Sequence, residues 1–177
     1  APEIREYWAD VHFGGDVRMR LTDVLRRSMK REGQICLVGH SLGTLVSYDV
    51  LWKLSHYSEY RREKWNRRID LLITLGAPLA NETIRRNLKG ANVPEEFRYP
   101  TNERRWGNLA AEDDVIAHDK TIANHFRPMR RYGCRLIDHR IYNPAIRNGN
   151  PNPHEGTGYL IHPKMVQTLA PWLEIDE

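Results

Sequence analysis

Residues 35–43 read Ile-Cys-Leu-Val-Gly-His-Ser-Leu-Gly. Four apolar residues run into a G-x-S-x-G pattern centred on Ser41, and a helical pattern follows. A short apolar run that breaks at glycine and resumes as a helix reads as a buried strand, a sharp turn and a helix. That turn forces Ser41 into a strained conformation and lifts its hydroxyl above the sheet edge, as a nucleophile elbow requires. Gly39 and Gly43 are expected to be small because side chains there would strike the neighbouring strand and helix. The N–H of Leu42 would then face the place where a substrate carbonyl oxygen becomes negative, supplying half of an oxyanion hole. The plain alternative is a glycine-rich phosphate turn, but such turns carry more glycine ahead of the helix.

Outward from this turn, strands and helices alternate. Val17, Leu21, Val24, Leu25 and Met29 stand near helical spacing within 16–31, and Gly33 ends that segment. A strand is expected at 34–39 and a helix at 42–56, apolar over much of its circumference as suits one packed on a central sheet. The Arg/Lys-rich stretch 59–68 reads as a connection. Residues 69–75, Ile-Asp-Leu-Leu-Ile-Thr-Leu, form a near-continuous apolar strand closed by Gly76-Ala77-Pro78, and continuous runs of this kind belong to parallel strands covered on both faces. A short helix at 82–89, a short strand at 106–110, a strand at 135–142, a turn-rich segment at 143–158 and a helix at 163–174 complete the pattern. The whole spells an α/β fold with a mostly parallel central sheet flanked by helices.

With 177 residues the chain is expected to form one domain with a real core. Twenty-seven basic residues against 23 acidic ones leave a net charge of +4, carried in clusters at 26–31, 61–68 and 130–131. Such clusters are expected to be solvated faces. The surplus also leaves room for peripheral contact with an anionic membrane. Nucleic acid is disfavoured, since no aromatic-interleaved basic strip is present. Two cysteines, neither at metal-binding spacing, suit a reducing compartment and a cytoplasmic location. No apolar run is long enough for a membrane span. His118, Asp119 and His125 could be metal ligands, but their spacing matches no metal motif, so neither metal nor cofactor is expected.

An activated serine needs a base, and the base needs an orienting carboxylate. Gly39-His40-Ser41-Leu42-Gly43 resembles the elbow of lipase- and esterase-type α/β-hydrolases. Trp106-Gly107-Asn108 through Asp113-Asp114-Val115 resembles the W-x-N…D-P-V signature of some of these enzymes. His154-Glu155-Gly156-Thr157-Gly158-Tyr159 resembles their final H-x-x-x-G-Y loop. The resemblance implies a Ser41–His154–Asp113 triad, with Asp113 preferred over Asp114, which stands where proline is common in the family. It also implies a serine hydrolase of carboxylic esters, small or lipidic, working without a cofactor. Acyl transfer to an alcohol and a non-catalytic binding domain are the alternatives. His154 is favoured over the other histidines because it lies in the loop between the last strand and the last helix. His40 is expected to pack beneath the elbow. The family has four strands before the elbow, whereas only one short candidate strand, about Tyr7 to Phe13, precedes Ser41. The early strands are therefore expected to lie outside this stretch, the chain as given being one hydrolase domain without its front.

Overall fold

A computed structural model describes residues 2–62, 67–117 and 119–173. The elements in chain order are α1 (Pro2–Ala9), α2 (Val11–Met29), β1 (Cys36–His40), α3 (Leu42–His56), α4 (Ser58–Arg62), β2 (Ile69–Leu75), α5 (Glu82–Asn87), β3 (Glu103–Ala111), β4 (Arg135–Ile141), β5 (Ile146–Arg147), β6 (Asn150–Pro151), α6 (Gly156–Leu160) and α7 (Pro163–Leu173). β1 to β4 form one sheet in the order β1-β2-β3-β4, every pair parallel, and β5-β6 is a small antiparallel hairpin. This is the α/β architecture expected, consistent with an α/β-hydrolase fold.

Each sheet face has its own core. On one face Leu72, Trp106 and Leu136 pack with α1, α2 and α3; on the other Leu71, Ile73, Leu75 and Leu109 pack with Tyr159 of α6 and Met165 of α7. α3 is buried almost all round, from Thr44 through Trp52, because it lies between the sheet and the α1–α2 pair. Its Asp49, 1 % exposed, accepts hydrogen bonds from the Tyr7 hydroxyl (2.8 Å) and the Lys89 amide (2.8 Å). Burial raises this carboxyl above the ordinary range, and the two donors offset part of that cost.

A polar ladder crosses the sheet where its register aligns Thr74, Asn108 and Asp138. The Trp106 indole donates to Thr74 Oγ1 (2.9 Å), the Thr74 hydroxyl donates to Asn108 Oδ1 (2.9 Å), and Asn108 Nδ2 donates to Asp138 Oδ1 (2.9 Å). Asp138 in turn accepts from the amides of Ile122 (3.0 Å) and Ala123 (2.9 Å), tying the β3–β4 connection to the sheet. The Trp-x-Asn pair is therefore a strand lock as well as a sequence signature.

Three expectations are corrected. The segment around Tyr7–Phe13 is helical: Asp10 caps α2, its carboxylate accepting from the amides of His12 (2.9 Å) and Phe13 (3.0 Å). Gly14 permits this, since a Cβ there would run into the Tyr7 carbonyl. Next, β3 is longer than 106–110, spanning nine residues, because Glu103 and Arg105 also pair with β2 while Arg105 and Ala111 pair with β4. Last, the basic cluster at 61–68 is not simply a solvated face. Arg67 donates to the carbonyls of Arg31 and Gly33, and Arg68 donates to those of Glu103 (2.5 Å) and Tyr132 (2.7 Å), so both side chains staple the sheet's amino-terminal end. Lys64, and residue 174 of the expected last helix, lie outside the described residues.

Candidate active site

The carboxyl ends of the strands gather at one rim, the usual position for chemistry in an open parallel sheet. Ser41 follows β1, Gly76 follows β2, Asp114 follows β3, and His154 lies in the long connection after β4. Ser41 has φ 52° and ψ −122°, a positive φ rare for a residue with a side chain. Close packing imposes this turn. A Cβ on Gly39 would stand 2.8 Å from the Gly43 carbonyl oxygen, so only glycine lets α3 leave β1 so steeply. Gly43 differs from expectation: a Cβ there would meet nothing within 4 Å. The Leu42 amide opens α3, where an N–H has no acceptor within the helix.

Ser41 Oγ lies 2.8 Å from His154 Nε2, and His154 Nδ1 lies 2.9 Å from Asp114 Oδ2. A carboxylate only accepts, so Nδ1 carries the proton and Nε2 presents its lone pair to the serine hydroxyl. Asp114, not Asp113, is the partner. β3 runs on to Ala111, and the Asp114 amide donates back to the Ala111 carbonyl (3.1 Å). That turn folds Asp114 over the sheet end and leaves Asp113 exposed at its tip. Asp114 is 0 % exposed, and its oxygens are well supplied with donors. Oδ1 accepts from the amides of Ile116 (2.9 Å) and Ala117 (3.4 Å), and Oδ2 accepts from His154 and from the Tyr159 hydroxyl (2.7 Å). Burial alone would raise this carboxyl, but hydrogen bonds from His154 and Tyr159 outweigh it and hold it below the ordinary aspartate value.

Three further residues shape this rim, none of which was assigned there from the sequence. The Tyr159 hydroxyl donates to Asp114 while accepting from the Ala111 amide (2.9 Å), so it welds the acid to the end of β3. His40 does more than pack beneath the elbow: its Nε2 donates to the His154 carbonyl (2.8 Å), and the two rings lie 4.8 Å apart. Burial lowers the His40 pKa and favours the neutral ring that makes this bond. Gly76 (φ 54°) lets the chain pass directly against the pair, since a Cβ would come within 2.9 Å of Asp114 Oδ2 and 3.1 Å of His154 Nδ1. The only signals for them were Tyr159 within the Gly-Tyr motif, His40 inside the elbow and Gly76 closing an apolar strand.

Residues 20–94 match a family model described as lecithin:cholesterol acyltransferase. That is a lipase-like acyltransferase family of the α/β-hydrolase superfamily. The acyltransferase match spans less than half of the chain, from within α2 through the elbow and β2 to the loop after α5; Asp114 and His154 lie beyond it. Comparison with curated proteins and with solved structures finds no match. Among the described residues no cluster of three or more His, Cys, Asp or Glu side chains could hold a metal ion. Asp119 and His125 form an exposed pair at 3.5 Å, and His118 lies outside the described residues. No described helix is long and apolar enough to cross a membrane.

Proposed function

We propose that this chain performs acyl transfer from carboxylic esters of lipids through a Ser41–His154–Asp114 triad, with water as the acyl acceptor. The continuous hydrogen-bonded path from Ser41 Oγ through the imidazole to a buried, ionised carboxylate carries this reading. His154 Nε2 takes the hydroxyl proton as Oγ attacks the ester carbonyl. The Leu42 amide is one donor to the resulting oxyanion, and a single such donor is worth roughly 3 kcal/mol of barrier. Collapse returns the proton to the departing alcohol and leaves an acyl-serine. Water attacks next, deprotonated by the same nitrogen, and free acid leaves. Throughout, Asp114 fixes the ring tautomer and stabilises the imidazolium that forms twice in the cycle.

A second reading differs only in the last step. An alcohol replaces water and a new ester is released, and the acyltransferase match favours this variant. A fluorophosphonate probe should label the native chain at Ser41, and Ser41→Ala should abolish both labelling and hydrolysis of short p-nitrophenyl esters. Labelling that survives in the variant would remove Ser41 as nucleophile. Products analysed with and without an added long-chain alcohol separate the two readings, since only transfer yields a new ester.

A further inference from the structure

A cavity of about 240 Å³ opens between α5, the loop that follows it and the β3–β4 connection. Four cations line it, Arg85, Arg86, Lys89 and Arg98, against the single carboxylate of Glu82. Arg85, Arg86 and Lys89 lie within five residues of one another, and Arg98 joins them from the loop that follows. Arg86 pairs with Glu82 one helical turn away. The Arg85 guanidinium donates to the Ala80 carbonyl, which fixes its direction without neutralising it. Among the described residues, no acid lies within ion-pair distance of Lys89 or Arg98. Arg85, Lys89 and Arg98 therefore line one small concavity with no acid in ion-pair contact among the described residues, a repulsion that a bound anion would relieve.

The shape of the cavity narrows the anion. Arginines from two chain segments and a lysine line it, a donor set that suits a tetrahedral oxyanion accepting from several directions. One guanidinium would suffice for a planar carboxylate. The floor is aromatic, built from Tyr48 and Phe126, both 3 % exposed, with Tyr99 beside them. Such a floor suits an organic body attached to the anion. The frame is stiff: the Trp52 indole donates to the carbonyl of Phe97, next to Arg98, at 2.7 Å, and the Lys89 amide is anchored on Asp49.

We propose that this cavity binds the phosphate group of an organic phosphate ester. The site is independent of the chemistry assigned to Ser41, and either could fail without the other. Its test uses the full chain, with inorganic phosphate, glycerol 3-phosphate, and phosphatidylcholine vesicles with and without phosphatidic acid as probes. Binding is followed by titration calorimetry, by thermal shift at constant ionic strength, and by vesicle co-sedimentation. Soluble phosphate should bind saturably, with glycerol 3-phosphate at least as tight, and Lys89→Gln/Arg98→Gln should weaken both at least tenfold. Arg147→Gln, on the β5–β6 hairpin, should leave affinity unchanged, and a native circular dichroism spectrum and melting transition of the double variant report that its fold is intact. Binding only to phosphatidic acid vesicles, with the same tenfold loss in the double variant, would assign the phosphate to a lipid headgroup. No saturable binding by any probe, or equal affinity in the double variant, overturns the proposal.

Discussion

Asp113 and Asp114 are chemically identical neighbours with opposite surroundings. One is solvated at a turn tip; the other is sealed under the sheet rim with four donors on its two oxygens. Asp114→Asn should lower kcat by roughly 10⁴, because an amide in that place supports the wrong imidazole tautomer. Asp113→Asn should change kcat less than about twofold. Steady-state kinetics on a chromogenic ester reads both, and equal losses would contradict the assignment. The resemblance in the sequence favoured Asp113, whereas the carboxylate that meets His154 is Asp114. Which of two adjacent residues turns inward depends on where β3 ends, and no local pattern marks that strand as running on to Ala111. That Ser41 and His154 meet was expected from the elbow pattern for the first, and for the second from the family resemblance of its loop and its place between the last strand and the last helix.

Among the elements, β2 and α3 were readable from their near-continuous apolar runs, because both are buried on almost every side. The amino-terminal segment was not. Its helix break is made by one capping side chain, Asp10, and by a glycine contact to Tyr7 that only the folded packing creates. The elbow offers a sharp contrast between its two glycines. Gly39→Ala should destabilise the chain by about 2 kcal/mol or more, since its Cβ would press on the backbone of α3 rather than on a movable side chain. Gly43→Ala should be neutral or stabilising by up to about 1 kcal/mol, because it adds a better helix former in open space. Denaturant melts of the two variants give the comparison, and equal losses would refute it.

In the molecule as a whole, the sheet's two ends carry opposite electrostatic designs. At the carboxyl end a buried acid is satisfied and ionised. At the amino end Glu103, 1 % exposed, has neither carboxylate oxygen in a well-formed hydrogen bond among the described residues, and burial pushes its pKa up to about 8. A carboxyl whose folded pKa exceeds its unfolded value holds its proton in the native state while the unfolded chain gives it up. Stability from this group is therefore fully present below about pH 4.5 and is lost as pH rises towards 8, by at most about 1.4 kcal/mol per pH unit. Glu103→Gln should flatten the fall of the melting temperature over that interval. An unchanged slope in the variant would show that the carboxyl does not titrate there. Nothing in the sequence marks Glu103 as internal, because it opens a strand whose first turn of chain is otherwise polar.

Ser41 and His154 are 113 residues apart, and every strand of the main sheet separates or carries them. Joining them closes the longest loop in the catalytic path, one of the slower events available to a folding chain. Serine reactivity is thus a timer: after dilution from denaturant, covalent capture by the fluorophosphonate should lag behind the recovery of helical circular dichroism. The delay measures how long the loop after β4 takes to bring His154 to the elbow.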